Sequence, residues 1–522
     1  MCGIIAVIKG DVDKKNHLLA LTRRGPDEQG TFVDDDVYMG HTRLSIVHPE
    51  AGPQPFSYQN WVVTMNGEIY NSNAKDNETD CFLVPKLLDL YGIEAVHRLD
   101  GIFSFVAYNR DTKIIIVARD AIGVTPLYWS QGEGLTFASL LAAMPENEPV
   151  QIVPPGHIAS FKVGELPTFT QWRTPYIQKC LINEPNGNIV NLMTQAVAKR
   201  LMGDVPWGVL LSGGLDSTIV AALAVKLAPK LRPDYPVVHT FCIGLKDSPD
   251  VKWAKEVAHS LGTHHTSVEY TVEEGINCIP EVIKAVETYD VTTIRASTPM
   301  WLLGKALKAR GIKMVLSGEG SDELFAGYLY NLYCPNETKM IQECILKMNQ
   351  LHAYDCQRAN KSMGDWGVET RVPFLDKGVV NFAMNLLPPV YKLSGTHPEG
   401  PKPEKWWLRK AFQEIVPECV INRTKAQFSD AVGNEWIESL VVEAEKHKSD
   451  ATFEYNTPTT DEAHWYRKVF EQCFSQKDAE KTVLYTGKSI ACSTSSASEW
   501  NENFQKHLDP SGKTIHLLNN SL

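Results

Sequence analysis

The sequence of 522 residues lacks three features that would each assign it to a well-defined class of protein. It has no Cys-x-x-Cys pair, no Gly-x-x-x-x-Gly-Lys-Ser/Thr phosphate loop and no apolar run of the roughly 18 to 20 residues that span a bilayer. Its longest apolar stretches, such as Ile114 to Ala118, fall far short of that length. The sequence therefore argues against a zinc ribbon, a P-loop kinase or GTPase, and a membrane-spanning protein.

Composition and charge narrow the remaining classes. Hydrophobic residues make up 43% and charged residues 22% of the chain, which is typical of soluble globular proteins and, at about 100 to 200 residues per domain, predicts two to four domains. A net charge of -11 disfavours nucleic acid and anionic membranes as partners. The apolar segment Met1 to Ile8 lacks the basic flank and the length of a signal peptide. We therefore expect a cytoplasmic protein whose 11 scattered cysteines are reduced.

The first third of the chain reads as an α+β domain of stacked antiparallel sheets. Short β-rich runs alternate with turn clusters such as Gly25-Pro26-Asp27, and one amphipathic stretch, Thr79 to Tyr91, predicts a helix that Gly92 ends. An irregular, proline-rich connection runs from about Val150 to Gly187. We place the domain boundary near residue 180.

Strands and helices alternate after this connection, which predicts an α/β domain with a largely parallel sheet. Beyond about residue 330 the pattern is mostly helical, and the polar Ser/Asn-rich segment from 489 has few core candidates. The predicted organisation is therefore 1–180, 181–488 and a C-terminal tail at 489–522. Ligands of a parallel sheet bind at the carboxyl ends of its strands.

Cys2 is the first candidate for chemistry. Removal of Met1 would make it the amino terminus, so that one residue would carry both a thiol nucleophile and an α-amine that can accept the thiol proton near neutral pH. Taken alone, a cysteine at position 2 is more often a small residue that opens a strand. The rest of the domain decides between these two interpretations.

Four ordered motifs accompany Cys2, and together they resemble the glutaminase domain of class II glutamine amidotransferases, a member of the amino-terminal-nucleophile fold. The motifs are Arg24-Gly25-Pro26-Asp27, Arg43-Leu44-Ser45-Ile46-Val47, Asn66-Gly67-Glu68-Ile69-Tyr70-Asn71, and Arg119-Asp120 with Gly123 and Pro126-Leu127-Tyr128.

The resemblance implies hydrolysis of the glutamine side-chain amide through a glutamyl thioester on Cys2. In that reaction Asn66 and Gly67 supply the oxyanion hole, Arg43 pairs with the glutamine α-carboxylate and Asp80 with its α-ammonium. The alternative for Arg43 and Asp80 is a solvated surface pair. The full implied glutamine-binding set is Arg43, Leu44, Ser45, Ile46, Val47, Asn66, Gly67, Glu68 and Asp80.

Three positions depart from the pattern of this family. Arg23 stands where many relatives have histidine, Glu28 replaces an aromatic or small residue, and Leu140 replaces a glutamate. None of the three has a named chemical role in the family, so the expected reaction type is unchanged.

A second constellation, Val209 to Thr218, places Ser212-Gly213-Gly214-Leu215-Asp216-Ser217 between a strand and a helix. Backbone N–H groups in such a turn can hold an anion. The string resembles the pyrophosphate loop of ATP pyrophosphatases, and the alternative is an ordinary helix-capping turn.

A second strand end, Ser317-Gly318-Glu319-Gly320-Ser321-Asp322, repeats the Ser-Gly-acid pattern and predicts one shared nucleotide cleft. Asp216 and Asp322 are candidate ligands for a Mg²⁺ ion that accompanies ATP, unless each merely caps its helix. By resemblance, Leu210, Ile243 and Gly318 contact adenosine. The predicted ATP-binding set is Leu210, Ser212, Gly213, Gly214, Asp216, Ser217, Ile243, Ser317 and Gly318.

The two domains in this order resemble the glutamine-dependent asparagine synthetases over almost the whole chain. This implies that aspartate attacks ATP to give β-aspartyl-AMP and pyrophosphate, and that ammonia from glutamine then gives asparagine and AMP. Glu319 and Lys425 match the catalytic acid and lysine of the family, although Lys425 alone would read as a surface lysine. Thr292 and Arg295 are expected to orient aspartate. Relatives are often homodimers, and ammonia needs a dry route between the sites.

Two other hypotheses stay open at this point. A β-lactam-synthetase-like cyclase would keep the two-domain plan, but Cys2 and the intact Asn66-Gly67-Glu68 string speak against it. A non-catalytic relative that serves as a regulatory or scaffold subunit is suggested by Arg23, Glu28 and Leu140.

Overall fold

The computed structural model describes residues 1–10, 13–73, 78–173, 176, 186–423, 434–484 and 494–501. These residues form two antiparallel sheets in the first third of the chain and one parallel sheet in the rest, which confirms the predicted fold classes. The predicted boundary near residue 180 lies outside the described residues. No helix within these ranges combines the length and the apolar character needed to cross a membrane.

The elements are numbered in chain order. The strands are β1 Gly3–Ile8, β2 Glu28–Val33, β3 Val37–Arg43, β4 Phe56–Tyr58, β5 Trp61–Ile69, β6 Gly101–Asn109, β7 Ile114–Arg119, β8 Tyr128–Gln131, β9 Leu135–Ala138, β10 Val150–Ile152, β11 His157–Lys162, β12 Thr170–Gln171, β13 Trp207–Leu210, β14 His239–Leu245, β15 His264–Tyr270, β16 Met314–Leu316 and β17 Glu369–Arg371. The α-helices are α1 Lys14–Leu19, α2 Leu83–Tyr91, α3 Asn186–Arg200, α4 Leu215–Leu231, α5 Pro249–Leu261, α6 Val272–Asn277, α7 Ile279–Val286, α8 Val291–Lys308, α9 Ser321–Phe325, α10 Glu337–Gln350, α11 Asp355–Gly364, α12 Lys377–Asn381, α13 Trp406–Phe412, α14 Glu418–Ile421, α15 Asn434–Ala444 and α16 Asp461–Cys473.

The first domain is a sandwich of two six-stranded sheets, in the orders β10-β8-β9-β1-β3-β2 and β12-β11-β7-β6-β5-β4. Alternate residues of β1 (Ile4, Ala6 and Ile8) pack against Val106 and Val117 of the facing sheet. Because side chains alternate across a strand, β1 also has a second apolar face. That face, with Ile5 and Val7, packs toward the second domain.

The predicted helix in this domain begins later than expected. Asp80 to Phe82 form a single 3-10 turn, and the α-helix α2 follows and ends before Gly92, whose φ of 53° suits glycine. Val84 and Leu88 pack against the outer face of the second sheet. The 3-10 turn holds Asp80 beside the end of β5, where its carboxylate accepts the Ile69 N–H at 2.6 Å.

The second domain is built on a parallel sheet in the order β15-β14-β13-β16-β17. Helices cover both faces: Ile219 of α4 shares a core cluster with Val209 of β13, and Leu303 of α8 shares another with the adjacent Leu210. From β13 the chain adds β14 and β15 on one side of the sheet, and β16 and β17 then lie on the other side. The loops that follow β13 and β16 therefore diverge and open a crevice at the carboxyl ends of these two strands. Both predicted Ser-Gly loops lie at this switch point.

The tail differs in part from the expectation that residues 489–522 lack structure. Residues 494–501 pack on the second domain: Ala497 and Trp500 contact the Tyr328–Tyr330 segment, and Thr494 donates to Glu343 at 2.6 Å. Thr494 and Ala497 are buried and Trp500 is partly buried, which anchors this short turn on the domain. The sequence does not predict the turn because the surrounding composition is polar.

A buried polar network joins the two domains. Lys361 of α11 donates to Glu287 at 2.5 Å and to Tyr128 of β8 at 2.6 Å, and Glu287 also accepts the Ala142 N–H. Burial lowers the pKa of Lys361 to about 8, although Glu287 opposes this shift. Both members of the pair are 1% exposed, so neither charge has water to replace a lost partner.

The Glu287→Ala substitution should therefore lower the free energy of unfolding by about 3 to 5 kcal/mol, because it leaves the Lys361 ammonium buried and unpaired. Denaturant titration followed by fluorescence would measure the change. Glu94→Ala, at an exposed position, should stay within about 0.5 kcal/mol of the wild type. An equally small effect of Glu287→Ala would contradict the assignment of a buried pair.

Candidate active sites

Cys2 lies where β1 begins, directly beside Asn66 of β5. Its backbone N–H donates to Asn66 Oδ1 at 3.0 Å, and its Sγ lies 4.0 Å from the Leu44 carbonyl oxygen. Burial raises the pKa of the Cys2 thiol above its ordinary value, although the positive charge of the amino terminus opposes this shift. The Nδ2 atom of Asn66 is buried and has no hydrogen-bond partner among the described residues. A donor left without an acceptor at this point is suited to hold an oxyanion.

Gly67 follows Asn66 in β5 and has a φ of 142°, a conformation that favours glycine. A Cβ at this position would collide with the carbonyl group of Ile102 on the neighbouring strand. The strand therefore keeps its backbone close to β6 while Asn66 faces Cys2. The Asn-Gly order of the motif thus has a steric basis as well as a chemical one.

Met1 is buried at the junction of the two domains. Its α-ammonium lies 3.2 Å from Glu369 Oε2, and Asn360 Nδ2 contacts its Sδ atom. Arg24 donates to the Cys2 carbonyl at 3.0 Å and to Asn360 at 2.9 Å. In this form the Cys2 nitrogen is part of a peptide bond, so it cannot act as a base until Met1 is removed.

Arg43 and Asp80 are both buried, so neither is the solvated surface residue of the alternative reading. Arg43 donates to the carbonyl groups of Pro49 and His48 at 2.7 and 2.8 Å, and to Glu28 at 2.6 Å. Burial raises the pKa of Asp80 to about 6, against the opposing hydrogen bond from Ile69.

The other residues of the predicted glutamine set follow β3 directly or lie near the end of β5. Ser45 donates its backbone N–H to Asp27 at 2.7 Å, which fixes the segment after β3. Leu44, Ser45 and Ile46 are buried and Val47 is partly buried. Glu68 is directed differently from the prediction, because its carboxylate lies 2.8 Å from Arg371 of the second domain. Burial raises the pKa of Glu68 well above its usual range, and Arg371 opposes this shift.

The second candidate site is a cavity of about 230 Å³ at the switch point of the parallel sheet. Gly213 has a φ of 72°, and the two Ser-Gly loops touch: a Cβ on Gly318 would lie 2.9 Å from the Ser217 nitrogen. This confirms that the two strand ends share one cleft. Of the predicted nucleotide set, the residues that line the cavity are Leu210, Ser212, Gly214, Asp216, Ser217, Ile243, Ser317 and Gly318, whereas Gly213 does not.

Lys405 is a functional candidate that the sequence did not reveal. Its Nζ atom lies 2.7 Å from both carboxylate oxygens of Asp216 and 2.7 Å from Asp322 Oδ1, and its side chain is 2% exposed. The two predicted metal ligands therefore converge on one point that an ammonium group holds. No recognised motif surrounds Lys405, so only the tertiary structure could bring it to this place.

Carboxylate oxygens are the ligands that Mg²⁺ prefers, so the donor chemistry of Asp216 and Asp322 fits this ion. In the described ranges, no group of three or more histidine, cysteine or acidic side chains is arranged to hold a metal without other ligands. An ion at this point would therefore need phosphate oxygens of a bound ATP as further ligands. It would also share the two carboxylates with Lys405.

Of the remaining residues predicted for the synthetase site, some line this cavity and others do not. Glu319 lines the cavity and pairs with Arg358 at 2.6 Å, and Thr292 also lines it. Arg295 does not: its guanidinium is buried and binds both oxygens of Glu462 at 2.9 and 2.6 Å. Helix α8 thus directs this side chain toward α16, and a contact of Arg295 with aspartate stays a prediction from the sequence. Lys425 lies outside the described residues.

Comparison with known proteins covers both sites. A glutamine amidotransferase domain model matches residues 1–161, and an asparagine synthase model matches residues 188–339 and 333–501. The chain is 45% identical to glutamine-hydrolysing asparagine synthetase 3 of Arabidopsis thaliana, over 98% of this chain and 94% of that protein. It is 44% identical to glutamine-hydrolysing asparagine synthetase 2 of Oryza sativa subsp. japonica, over 98% of this chain and 92% of that protein.

The cation between the two carboxylates leads to a binding prediction. In a Lys405→Met variant the carboxylates of Asp216 and Asp322 would face each other without an ammonium, so they should bind Mg²⁺ more tightly than in the wild type. At ten times its dissociation constant, the ion should add about 1.4 kcal/mol of stability, which is about 1 to 2 °C in unfolding temperature for a chain of this size.

Thermal unfolding with and without Mg²⁺ would measure this effect. Lys410→Met removes an exposed charge nearby and should respond to Mg²⁺ like the wild type. If Lys405→Met also responded like the wild type, the carboxylates would not converge as the structure shows.

Proposed function

The chain belongs to the glutamine-hydrolysing asparagine synthetases, which are carbon–nitrogen ligases that consume ATP, and we propose how its own residues divide the reaction. The proposal rests on the joint placement of Cys2 beside Asn66 in one domain and of the two Ser-Gly loops around a single acidic cavity in the other. The first site releases ammonia from glutamine, and the second activates aspartate to receive it.

In the glutaminase half, removal of Met1 frees the Cys2 α-amine, which accepts the thiol proton as Sγ attacks the side-chain amide of glutamine. The oxyanion that forms is held by the unpartnered Nδ2 group of Asn66 and by the Gly67 N–H. The C–N bond breaks as the leaving amide nitrogen takes up the proton held by the Cys2 α-amine and departs as ammonia, and water then hydrolyses the glutamyl thioester to glutamate. Arg43 and Asp80 hold the α-carboxylate and α-ammonium of glutamine.

In the synthetase half, an oxygen of the aspartate β-carboxylate attacks the α-phosphorus of ATP and pyrophosphate leaves. Ammonia then attacks the β-aspartyl-AMP carbonyl, and AMP leaves with the formation of asparagine. Negative charge on the phosphates has to be neutralised in this reaction. Lys405 is placed for that task between the two loops, and Lys425 is proposed for it from the sequence.

A Mg²⁺ ion held by Asp216 and Asp322 would supply further neutralisation of the leaving pyrophosphate. Glu319 stays in place through Arg358, which also pairs with Asp355 at 2.6 Å. Thr292 is the remaining candidate from the sequence for holding aspartate. The domain limits at 180 and 488, the homodimer and the cytoplasmic location stay predictions from the sequence.

The Cys2→Ala substitution tests the division between the two sites. It should abolish asparagine formation from glutamine, because the nucleophile is lost, and should retain the reaction with ammonium, ATP and aspartate. Asparagine and pyrophosphate would be measured in both assays. Cys473→Ala, which removes a thiol far along the chain on α16, should retain both reactions.

Mass spectrometry of the active protein provides the second arm of this test. We expect its amino terminus to be Cys2. Full glutamine-dependent activity with Met1 still attached would contradict the proposed role of the Cys2 α-amine, and loss of both reactions in Cys2→Ala would show that the two sites are not separable.

The buried position of Asp80 predicts a pH dependence of glutamine binding. Its pKa of about 6 is raised, so the carboxyl is ionised above this pH and becomes neutral as the pH falls through it. The attraction for the α-ammonium is lost in the neutral form. The KM for glutamine should therefore rise by up to about tenfold for each pH unit below 6, in an assay of glutamate release.

The Asp80→Asn variant should have a KM raised by roughly two orders of magnitude, because loss of one partner of a buried charge pair costs about 2 to 5 kcal/mol. Its KM should no longer change near pH 6. The exposed Asp89→Asn variant should keep the profile of the wild type. A profile that persists in Asp80→Asn would assign the pH dependence to another group.

A further inference from the structure

Arg43 is almost saturated by groups of its own chain. Its NH1 group donates to Glu28 at 2.6 Å and to the Pro49 carbonyl at 2.7 Å, and its NH2 group donates to the carbonyls of His48 and Val47 at 2.8 and 3.4 Å. Each terminal nitrogen of a guanidinium has two N–H groups, so all four are engaged. A carboxylate that binds Arg43 through two N–H groups therefore has to displace one of these acceptors.

Glu28 differs from the other acceptors because it is the one that carries a full negative charge. It is the direct cross-strand partner of Arg43 in the β2–β3 pair, so the register of the sheet sets the two side chains against each other. Its side chain is 37% exposed, whereas that of Arg43 is 5% exposed. The acid can therefore swing into water, but the arginine cannot follow it.

The neighbouring acid cannot take the place of Glu28. Asp27 Oδ2 accepts the Ser45 N–H at 2.7 Å and pairs with Lys313 of the second domain at 2.8 Å. Asp27 is thus committed to the segment after β3 and to the domain interface. Of these two neighbouring acids, Glu28 is therefore the one that pairs with the Arg43 guanidinium.

We propose that Glu28 is a built-in competitor for the α-carboxylate of glutamine at Arg43. The inference rests on the proposed role of Arg43 in binding glutamine. An incoming α-carboxylate displaces the Glu28 carboxylate, which moves into water, and the two anions repel each other while both are near the guanidinium. Glu28 thereby weakens glutamine binding and reduces the preference for a substrate with a free α-carboxylate over one without it.

Two substrates separate this role from a structural one. Glutamine and its α-amide, glutaminamide, share the reacting side chain and the α-ammonium, but only glutamine has the charged carboxylate. In a Glu28→Gln variant, the ratio of kcat/KM for glutamine to that for glutaminamide should rise by about tenfold, and the gain should lie in a lower KM for glutamine. Glu28→Ala should change the ratio in the same direction. Because alanine cannot form a hydrogen bond, this result would exclude a new hydrogen bond from the substituted side chain at position 28 as the cause.

The opposite result would overturn the proposal. If Glu28 served to position Arg43, both variants would raise the KM for glutamine, and if it served only the fold, the ratio would not change. The exposed Glu94→Gln variant removes one negative charge from the same domain and should leave the ratio as in the wild type. Because side-chain hydrolysis of glutaminamide leaves its α-amide intact, ammonia release is the measurement common to both substrates. A wild type that releases no ammonia from either substrate would refute the proposed glutaminase itself, and this inference with it.

Discussion

The buried charges that cross between the two domains are the interaction on which both sites depend. Arg371 of β17 is fully buried, and it contacts Glu68 of the glutaminase domain, Glu369 of its own strand and the carbonyl groups of Arg200 and Met202. Burial would raise the pKa of Glu369, but the amino terminus and Arg371 overcome this effect and hold it below its ordinary value. Removal of one partner from a buried ion pair leaves the other charge uncompensated, so Arg371 and Glu68 hold β17 against the glutaminase domain. Removal of Met1 leaves this contact in place.

Helix α11 extends this constraint from one site to the other. Asp355 and Arg358 lie at the synthetase cavity, whereas Asn360 and Lys361 contact residues of the glutaminase domain: Arg24 and the Val124 carbonyl for Asn360, and Tyr128 for Lys361. Fewer than two turns of helix thus separate the two sets of contacts. Ammonia has to stay unprotonated to act as a nucleophile, so a junction closed by buried side chains suits its transfer better than an open cleft.

The sequence predicted the parts of each site that depend on short segments of chain. The Ser-Gly loops are strand–turn–helix units whose chemistry is local, and the switch point of a parallel sheet brings two such loops together by a general rule. Lys405, Arg358 and the Arg371 partner of Glu68 were missed because each reaches its site from a distant segment. The pairing of Arg295 with Glu462 was missed for the related reason that a helical position does not tell which neighbour its side chain will meet. The start of α2 was misjudged because a 3-10 turn has nearly the same apolar spacing as the helix that follows it.

The three departures from the family pattern have unequal consequences, and the structure explains why. Arg23 pairs with Asp365 at 3.1 Å but is 55% exposed, so this contact adds about 0 to 1 kcal/mol and touches no reacting group. Leu140 is partly buried and packs against the apolar cluster that joins the domains, an environment that suits a leucine side chain. Neither change supports a scaffold that has lost its chemistry. Glu28 is the exception, because it pairs with Arg43, the residue proposed to bind the α-carboxylate of glutamine, while Cys2 stays beside Asn66. Under the proposed roles, this acid changes the electrostatic environment of the substrate's α-carboxylate and leaves the groups that break its amide bond as they are.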